Sequence, residues 1–284
     1  KEAPRRPAVV SVLGHIDHGK TTLLDTIREA RVANSEAGGI TQSIGAYQIE
    51  WEGEEFTFID TPGHKAFTSM RSRGAHATDI AILVVAADDG IMDQTREAIS
   101  HIEAADIPLI VAINKIDKNN ANPQETMNQL AREGFTPDDW GGDTIMVQVS
   151  ALTGENVEEL LDMLSLVAEM EAPTGDPEGE LKGFIVESHL DAQMGPMATA
   201  VIQEGTLRPR DILVVGNTHG RVRSLSDESG QIEEAGPSKP VEIMGLKDVP
   251  PAGASIEAYD DLSEAKKLAQ ARKEKEKQQP QLGM

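Results

Sequence analysis

The sequence predicts an α/β fold in which a mostly parallel, doubly wound sheet is followed by a small antiparallel β-barrel and a C-terminal helix. Three observations point there. Between residues 8 and 170, near-continuous runs of β-branched residues alternate with amphipathic stretches, the pattern of strands buried on both faces and joined by helices. The stretch "EAPTGDPEGE" at 171–180, rich in Pro, Gly and acid, then breaks the alternation. Beyond it come short apolar runs separated by turn residues at close intervals, the spacing of a barrel. The expected domains are 1–170, a linker at 171–180, a barrel at 181–260 and a charged helix or tail at 261–284.

Taken in order, "AVVSVL" ends at Gly14, and a helix is expected from Lys20 to about Ala30. "FTFID" ends in Asp60, "DIAILVVAA" spans 79–87, "IPLIVAIN" ends in Asn114 and "TIMVQVS" ends in Ser150. One helix opens on "NPQETM", with Asn122 as N-cap, Pro123 in the first turn and Gly134 just past its end. Another, from Asn156 to about Met170, lines up Val157, Leu160, Leu161, Leu164 and Val167 on one face. In such a fold a ligand sits at the carboxyl ends of the strands. The barrel strands are read from "GFIVESHL", "MATAVIQ", "DILVVGN", "GRVRSL", "PVEIMGL" and "ASIEAY". From Leu262 onward a helix carries six Lys or Arg and three Glu between 264 and 277, and is expected to be a solvated element.

Bulk properties narrow the function. With 284 residues the chain can bury a sizeable core, and no run of eighteen apolar residues suggests a membrane span. The absence of cysteine excludes disulfides and thiolate metal sites and fits a reducing, cytoplasmic setting. A net charge of −22, from 48 acids against 26 Lys and Arg, argues against a chain-wide nucleic-acid grip. It does not decide a local anion site, because exposed charges beyond about 8 Å are largely screened at physiological salt.

That local site is visible in "GHIDHGKTT", residues 14–22, which follows a strand and opens a helix. Gly14-x-x-x-x-Gly19-Lys20-Thr21 is the phosphate loop. The backbone N–H groups of Asp17, His18, Gly19, Lys20 and Thr21, with Thr22 in the same set, line a phosphate cradle at the positive end of the helix. Lys20 is expected to bridge β- and γ-phosphates and the Thr21 hydroxyl to ligate Mg²⁺. Three short pieces follow, each weak alone. In "DTPGH" Asp60 can hold Mg²⁺ through water and the Gly63 N–H can reach a γ-phosphate. In "NKID" Asp117 can accept both N1–H and N2–H₂ of guanine, while Asn114 and Lys115 brace the loop and flank the ring. In Ser150-Ala151-Leu152 a backbone N–H is placed to meet guanine O6. In series they favour GTP and GDP over adenine nucleotides.

"GHIDHGKTTLLD", "GGITQSIGAY", "DTPGHKAFTSMRSRGA", "DIAILVVAADDGIMDQTREAI" and "INKID" resemble the translational GTPases. "EAGGITQSIGAY" (36–47) and "PSKPVEIMGLKDVPPAG" (237–253) are most similar to the bacterial initiation-factor-two branch of that family. The resemblance runs from residue 7 to about 260. It implies a P-loop GTPase domain followed by the family's second domain, acting on both ribosomal subunits with ribosome-stimulated hydrolysis, as a monomer and without a membrane. It further implies that Thr41 closes over the γ-phosphate as a second side-chain ligand of Mg²⁺, and that His64 orients the attacking water. Ile16 and Ile40 match the apolar pair that fences off that histidine, and Asp17 matches a carboxylate that recruits a monovalent cation beside the phosphates. The family's later domains, including the one that grips initiator tRNA, are not found before residue 284, so initiator tRNA binding is not expected of this chain.

Three positions depart from the family pattern: Pro196 and Ala254 in the barrel, and Arg210 in a turn that usually has Gly. His15 and His18 are read as loop residues without an acid–base task, His18 contributing its backbone N–H. Two alternatives stay open, another translational GTPase such as the selenocysteine-specific elongation factor, and a non-hydrolysing module that uses GTP only as a conformational ligand.

Overall fold

The computed structural model describes residues 2–32, 45–60 and 78–278. Its first sheet runs in the order β2-β3-β1-β4-β5-β6, built from β1 (Ala8–Gly14), β2 (Ala46–Trp51), β3 (Glu54–Asp60), β4 (Ile80–Ala86), β5 (Leu109–Asn114) and β6 (Ile145–Gln148). All neighbours are parallel except the edge strand β2, which runs antiparallel to β3. That strand went unread in the sequence because "AYQIEW" mixes polar and apolar residues, as an edge strand does.

Strand β4 shows why the central runs are almost wholly apolar. Ile80, Ile82 and Val84 pack on one side with Leu23, Leu24 and Ile27 of α1 (Lys20–Val32) and Leu160, Leu161 and Leu164 of α4 (Val157–Glu171). Ala81, Leu83 and Val85 pack on the other with Ile99 and Ile102 of α2 (Asp93–Ala105) and Met127 and Leu130 of α3 (Pro123–Arg132). Both faces are covered, so period-two alternation of apolar and polar residues is absent. The start of α3 is as its sequence requires: Asn122 Oδ1 accepts the Glu125 N–H at 3.1 Å, and Pro123 fills the first turn.

The second sheet contains β7 (Lys182–Asp191), β8 (Gly195–Glu204), β9 (Ile212–Val215), β10 (Thr218–Asp227), β11 (Gly230–Ile232), β12 (Pro240–Leu246) and β13 (Ser255–Tyr259). Its order is β11-β10-β12-β8-β7-β13-β9, and an additional β9–β10 pairing closes it into a barrel. Arg210 adopts φ 76°, the left-handed conformation that explains why its turn usually takes glycine. Helix α5 (Leu262–Gln278) corrects the expectation of a solvated element. Ala265 and Ala269 are buried against the barrel, and Arg272 donates to the Gly216 carbonyl at 3.0 Å and to both carboxylate oxygens of Glu257 at 2.7 and 3.2 Å. Small residues on one face let the helix lie close while its charges stay outside.

The barrel docks on the edge of the first sheet. Val9, Ala46 and Ile59 meet Phe184, Val186 and Val201 in one buried cluster. Around it lies a polar junction. Arg6 forms a two-pronged pair with Asp79 at 2.7 and 2.9 Å and also donates to Ser238 Oγ and the Thr174 carbonyl. Ser238, fully buried at φ 65°, donates its hydroxyl to the Pro7 carbonyl and accepts from Thr57 and Gln48 through its own carbonyl. One guanidinium thus joins sheet, linker and barrel. Arg6→Ala leaves Asp79 without its cation at a largely buried site and is expected to lower stability by about 3 kcal/mol. Urea unfolding measures this, and a loss below about 1 kcal/mol would mean the junction holds without its arginine.

Candidate nucleotide-binding site

The site forms where β1, β3, β4 and β5 end. Gly14 closes β1 at φ 150°, and a Cβ there would lie 2.5 Å from the Val84 carbonyl oxygen. The chain can turn only because that atom is missing. The next residues curl into a 3₁₀ turn at Ile16–His18, with the His18 N–H on the His15 carbonyl at 3.0 Å and the Asp17 N–H on His15 Nδ1 at 3.1 Å. Gly19, at φ 88°, then opens α1. The first-turn N–H groups of a helix have no partner within it, so the loop presents donors and a positive dipole end together. The side chains of Asp17, Thr21 and Thr22 are exposed there.

Lys20 reaches across to β3, its Nζ 2.9 Å from Asp60 Oδ1. The expected phosphate lysine and the expected metal-side carboxylate therefore already face each other. Among the described residues no cluster of three or more His, Cys, Asp or Glu could hold a metal. One hydroxyl, Thr21, and one carboxylate, Asp60, suit Mg²⁺, which keeps several waters and takes its remaining ligands from phosphate.

Asn114 ties the loops together. Its buried amide donates from Nδ2 to the His18 carbonyl and accepts the Ala151 N–H at Oδ1, both at 2.9 Å. A side chain on Gly19 would strike that amide. Lys115, itself at φ 63°, donates to the Asp17 carbonyl. Asp117 is exposed, with Oδ1 accepting from Ser150 Oγ at 2.7 Å; that hydroxyl in turn accepts the Thr153 N–H at 3.1 Å. Thr26 of α1 donates to the Ala151 carbonyl at 2.6 Å. Asp117 is thus held by one oxygen, leaving acceptor capacity toward solvent. The Ala151 N–H is engaged by Asn114, and Leu152 is exposed beside it.

His18 was expected to contribute mainly its backbone N–H; the structure adds that its ring is fully buried. It lies 4.9 Å from the His15 ring, with Nε2 3.3 Å from Asp89 Oδ2, and among the described residues neither ring nitrogen makes a hydrogen bond. Burial first, and then the neighbouring His15, hold its pKa below the ordinary histidine value, against an opposing pull from Asp89. The missed signal was topological: "AADDG" follows β4, whose end must lie beside the loop that follows β1. Of the other predicted residues, Thr41, Gly63 and His64, together with Ile40, lie outside the described residues.

A glycine-bounded loop at the head of a helix and two further loops tied to it, all at the ends of one mostly parallel sheet with a barrel docked at its edge, define a P-loop domain of the translation-factor class. Residues 6–170 match the elongation factor Tu GTP binding domain family, and residues 180–258 match elongation factor G domain 2. The chain belongs to the elongation factor Tu GTP binding domain family. It is 57% identical over 274 residues to translation initiation factor IF-2 of Halothermothrix orenii, covering 96% of this chain and 40% of the relative. The factor of the same name from Staphylococcus aureus is 53% identical, with 96% and 39% covered. The chain thus spans about two fifths of the length of these relatives. Among solved structures, GDP-bound aIF5B from Aeropyrum pernix matches with a TM-score of 0.79 at 31% identity, over 95% of this chain and 57% of that one. The elongation factor SelB from Methanococcus maripaludis shares the fold, with a TM-score of 0.67 at 24% identity over 92% of this chain and 56% of that one.

The lowered pKa of His18 gives a pH prediction. The unfolded chain takes up this proton near pH 6.5 and the folded chain only below it, so the stability tied to the neutral ring is complete above pH 6.5 and is lost as pH falls. An NMR titration should show His18 protonating at lower pH than free histidine. A midpoint at or above 6.5 would contradict the burial argument.

Proposed function

We propose that this chain is the GTP-binding and GTP-hydrolysing core of an initiation factor of the IF-2 type, working on the two ribosomal subunits. The observation that carries the reading is the bracing of Asp117 by Ser150, with Asn114 joining its loop to the phosphate loop. A carboxylate facing solvent there can accept N1–H and N2–H₂ from guanine together, whereas adenine offers an acceptor at N1. The identity to IF-2 relatives exceeds the likeness to SelB, which favours initiation over selenocysteine delivery.

Binding exchanges partners at the Lys20–Asp60 pair. The ammonium moves from carboxylate to the β- and γ-phosphates, and Asp60 is released toward the metal side of the site with Thr21 and Thr41. Bound Mg²⁺ supplies neutralisation of the charge on the phosphate oxygens. The amides of residues 17–22 and Gly63 hold the chain of phosphates in line, and His64 orients the attacking water. Asp17, exposed at the mouth of the loop, is placed to attract a monovalent cation beside the phosphates.

Two substitutions test the reading. Asp117→Asn replaces an acceptor pair by an amide whose NH₂ opposes the guanine N2 donor, so GDP affinity should fall about 100-fold while xanthosine diphosphate gains. Unchanged GDP affinity by calorimetry would refute the base assignment. His64→Ala should leave GDP affinity near wild type and reduce ribosome-stimulated phosphate release about 100-fold or more. Ordinary turnover by that variant would remove His64 from catalysis and favour the non-hydrolysing alternative.

A further inference from the structure

We propose that Glu187, a residue of the barrel, positions Asp60 at the nucleotide site and so sets how tightly the site holds Mg²⁺. The proposal rests on the guanine-nucleotide reading above. Its basis is a continuous set of contacts across the domain boundary. Glu187 Oε1 accepts the Gly45 N–H at 2.8 Å, and the Gly45 carbonyl accepts the Asp60 N–H at 2.9 Å. Asp60 carries the Lys20 pair at 2.9 Å. Two residues, Gly45 and Asp60, thus link a barrel carboxylate to the phosphate lysine, with Gly45 held through both its N–H and its carbonyl.

Two features show that the contact is built into the fold. The first is a bulge in β7: its pairing with β8 steps from Ile185↔Ala200 to Glu187↔Thr199, so Val186 is an extra residue. A bulge re-aims the side chains on either side of it. Ile185 packs inside the barrel and Val186 joins the interdomain cluster. Regular alternation would then return Glu187 to the interior; the extra residue turns it toward the first domain. The second feature is the glycine. A Cβ on Gly45 would lie 2.7 Å from the Glu187 carboxyl carbon and within 2.9 Å of both its oxygens. The carboxylate sits where a side chain would be, so position 45 admits no substituent without displacing it. Gly45 itself is a residue of the "GGITQSIGAY" stretch, one to which the nucleotide reading assigns no role of its own.

The physical effect is on preorganisation. The bond to the carboxylate fixes the Gly45 N–H, and through the backbone of that one residue it fixes the carbonyl that accepts the Asp60 N–H. Fixing that N–H fixes the end of β3, and with it the carboxylate that faces the metal side. Glu187 is therefore a positioning residue. It touches neither nucleotide nor metal.

The test is the Mg²⁺ dependence of release of fluorescent N-methylanthraniloyl-GDP from the purified chain. Glu187→Ala should release it several-fold faster at limiting Mg²⁺, about 3- to 10-fold for loss of one charge-assisted bond partly transmitted. Excess EDTA should remove the difference, because the route runs through Asp60 and its metal. Glu187→Gln, which keeps an acceptor oxygen, should restore most of the Mg²⁺ dependence. Gly45→Ala should mimic Glu187→Ala by pushing the carboxylate away. As a control, Glu228→Gln weakens the Arg28–Glu228 interdomain pair at 2.8 Å and should behave as wild type. Equal Mg²⁺ titrations for wild type and Glu187→Ala would overturn the proposal. So would an acceleration that persists in EDTA or that Glu228→Gln reproduces. Failure of the wild-type chain to bind the probe at all would strike the nucleotide reading itself, and this proposal with it.

Discussion

The buried amide of Asn114 is the constraint on which the site depends. A parallel sheet brings several strand ends to one edge, but it does not fix the loops that leave them. Asn114 does so by spending both ends of its amide, one on the His18 carbonyl and one on the Ala151 N–H. A buried amide with either partner missing costs about 1–3 kcal/mol, so three loops are held to one relative placement. Gly19 accommodates the arrangement because a side chain there would strike the amide. The head of α1 and the loop that carries Asp117 are thereby held at a fixed separation.

Around that centre, charges are arranged locally and the overall acidity has little bearing. Lys20 faces Asp60, Lys115 donates to the Asp17 carbonyl, and Lys118 pairs with Asp88 at 2.8 Å. These three described cations are each placed by an oxygen of the protein, and the amides at the head of α1 add donors without adding charge. An anion at this surface would feel these groups at contact distance, while the rest of the net charge of −22 lies mostly beyond the screening length. His18 adds a neutral, buried body beneath the loop; its ring fills space where a cation would raise the charge and an apolar residue would face Asp89.

Much of this was legible in the sequence because the strongest signals are backbone requirements. Gly14 and Gly19 mark positions where a Cβ is excluded, and Asn122 with Pro123 marks a helix start. Strand β4 could be read because both faces are covered. The base-side pieces were legible as motifs, and the structure adds the bonds that join Asn114 to Ala151 and Asp117 to Ser150. What escaped depends on tertiary placement. The burial of the His18 ring follows from the loop after β4, and the docking of α5 follows from two alanines that look unremarkable in a charged stretch. The edge strand β2 and the three-residue β11 carry too little apolar pattern to announce themselves. The interdomain junction at Arg6 and Ser238 joins residues 232 positions apart.

The most direct test is a competition among unlabelled diphosphates for the wild-type chain in the presence of Mg²⁺. If the carboxylate at 117 and the loops joined through Asn114 form a guanine site, GDP should displace bound N-methylanthraniloyl-GDP at concentrations about 1,000-fold or more below those needed of ADP, since a site built on polar pairing rejects the wrong base by large factors. Comparable displacement by ADP and GDP would contradict the account, because it would place binding in the phosphate loop alone and leave Asp117 without a partner.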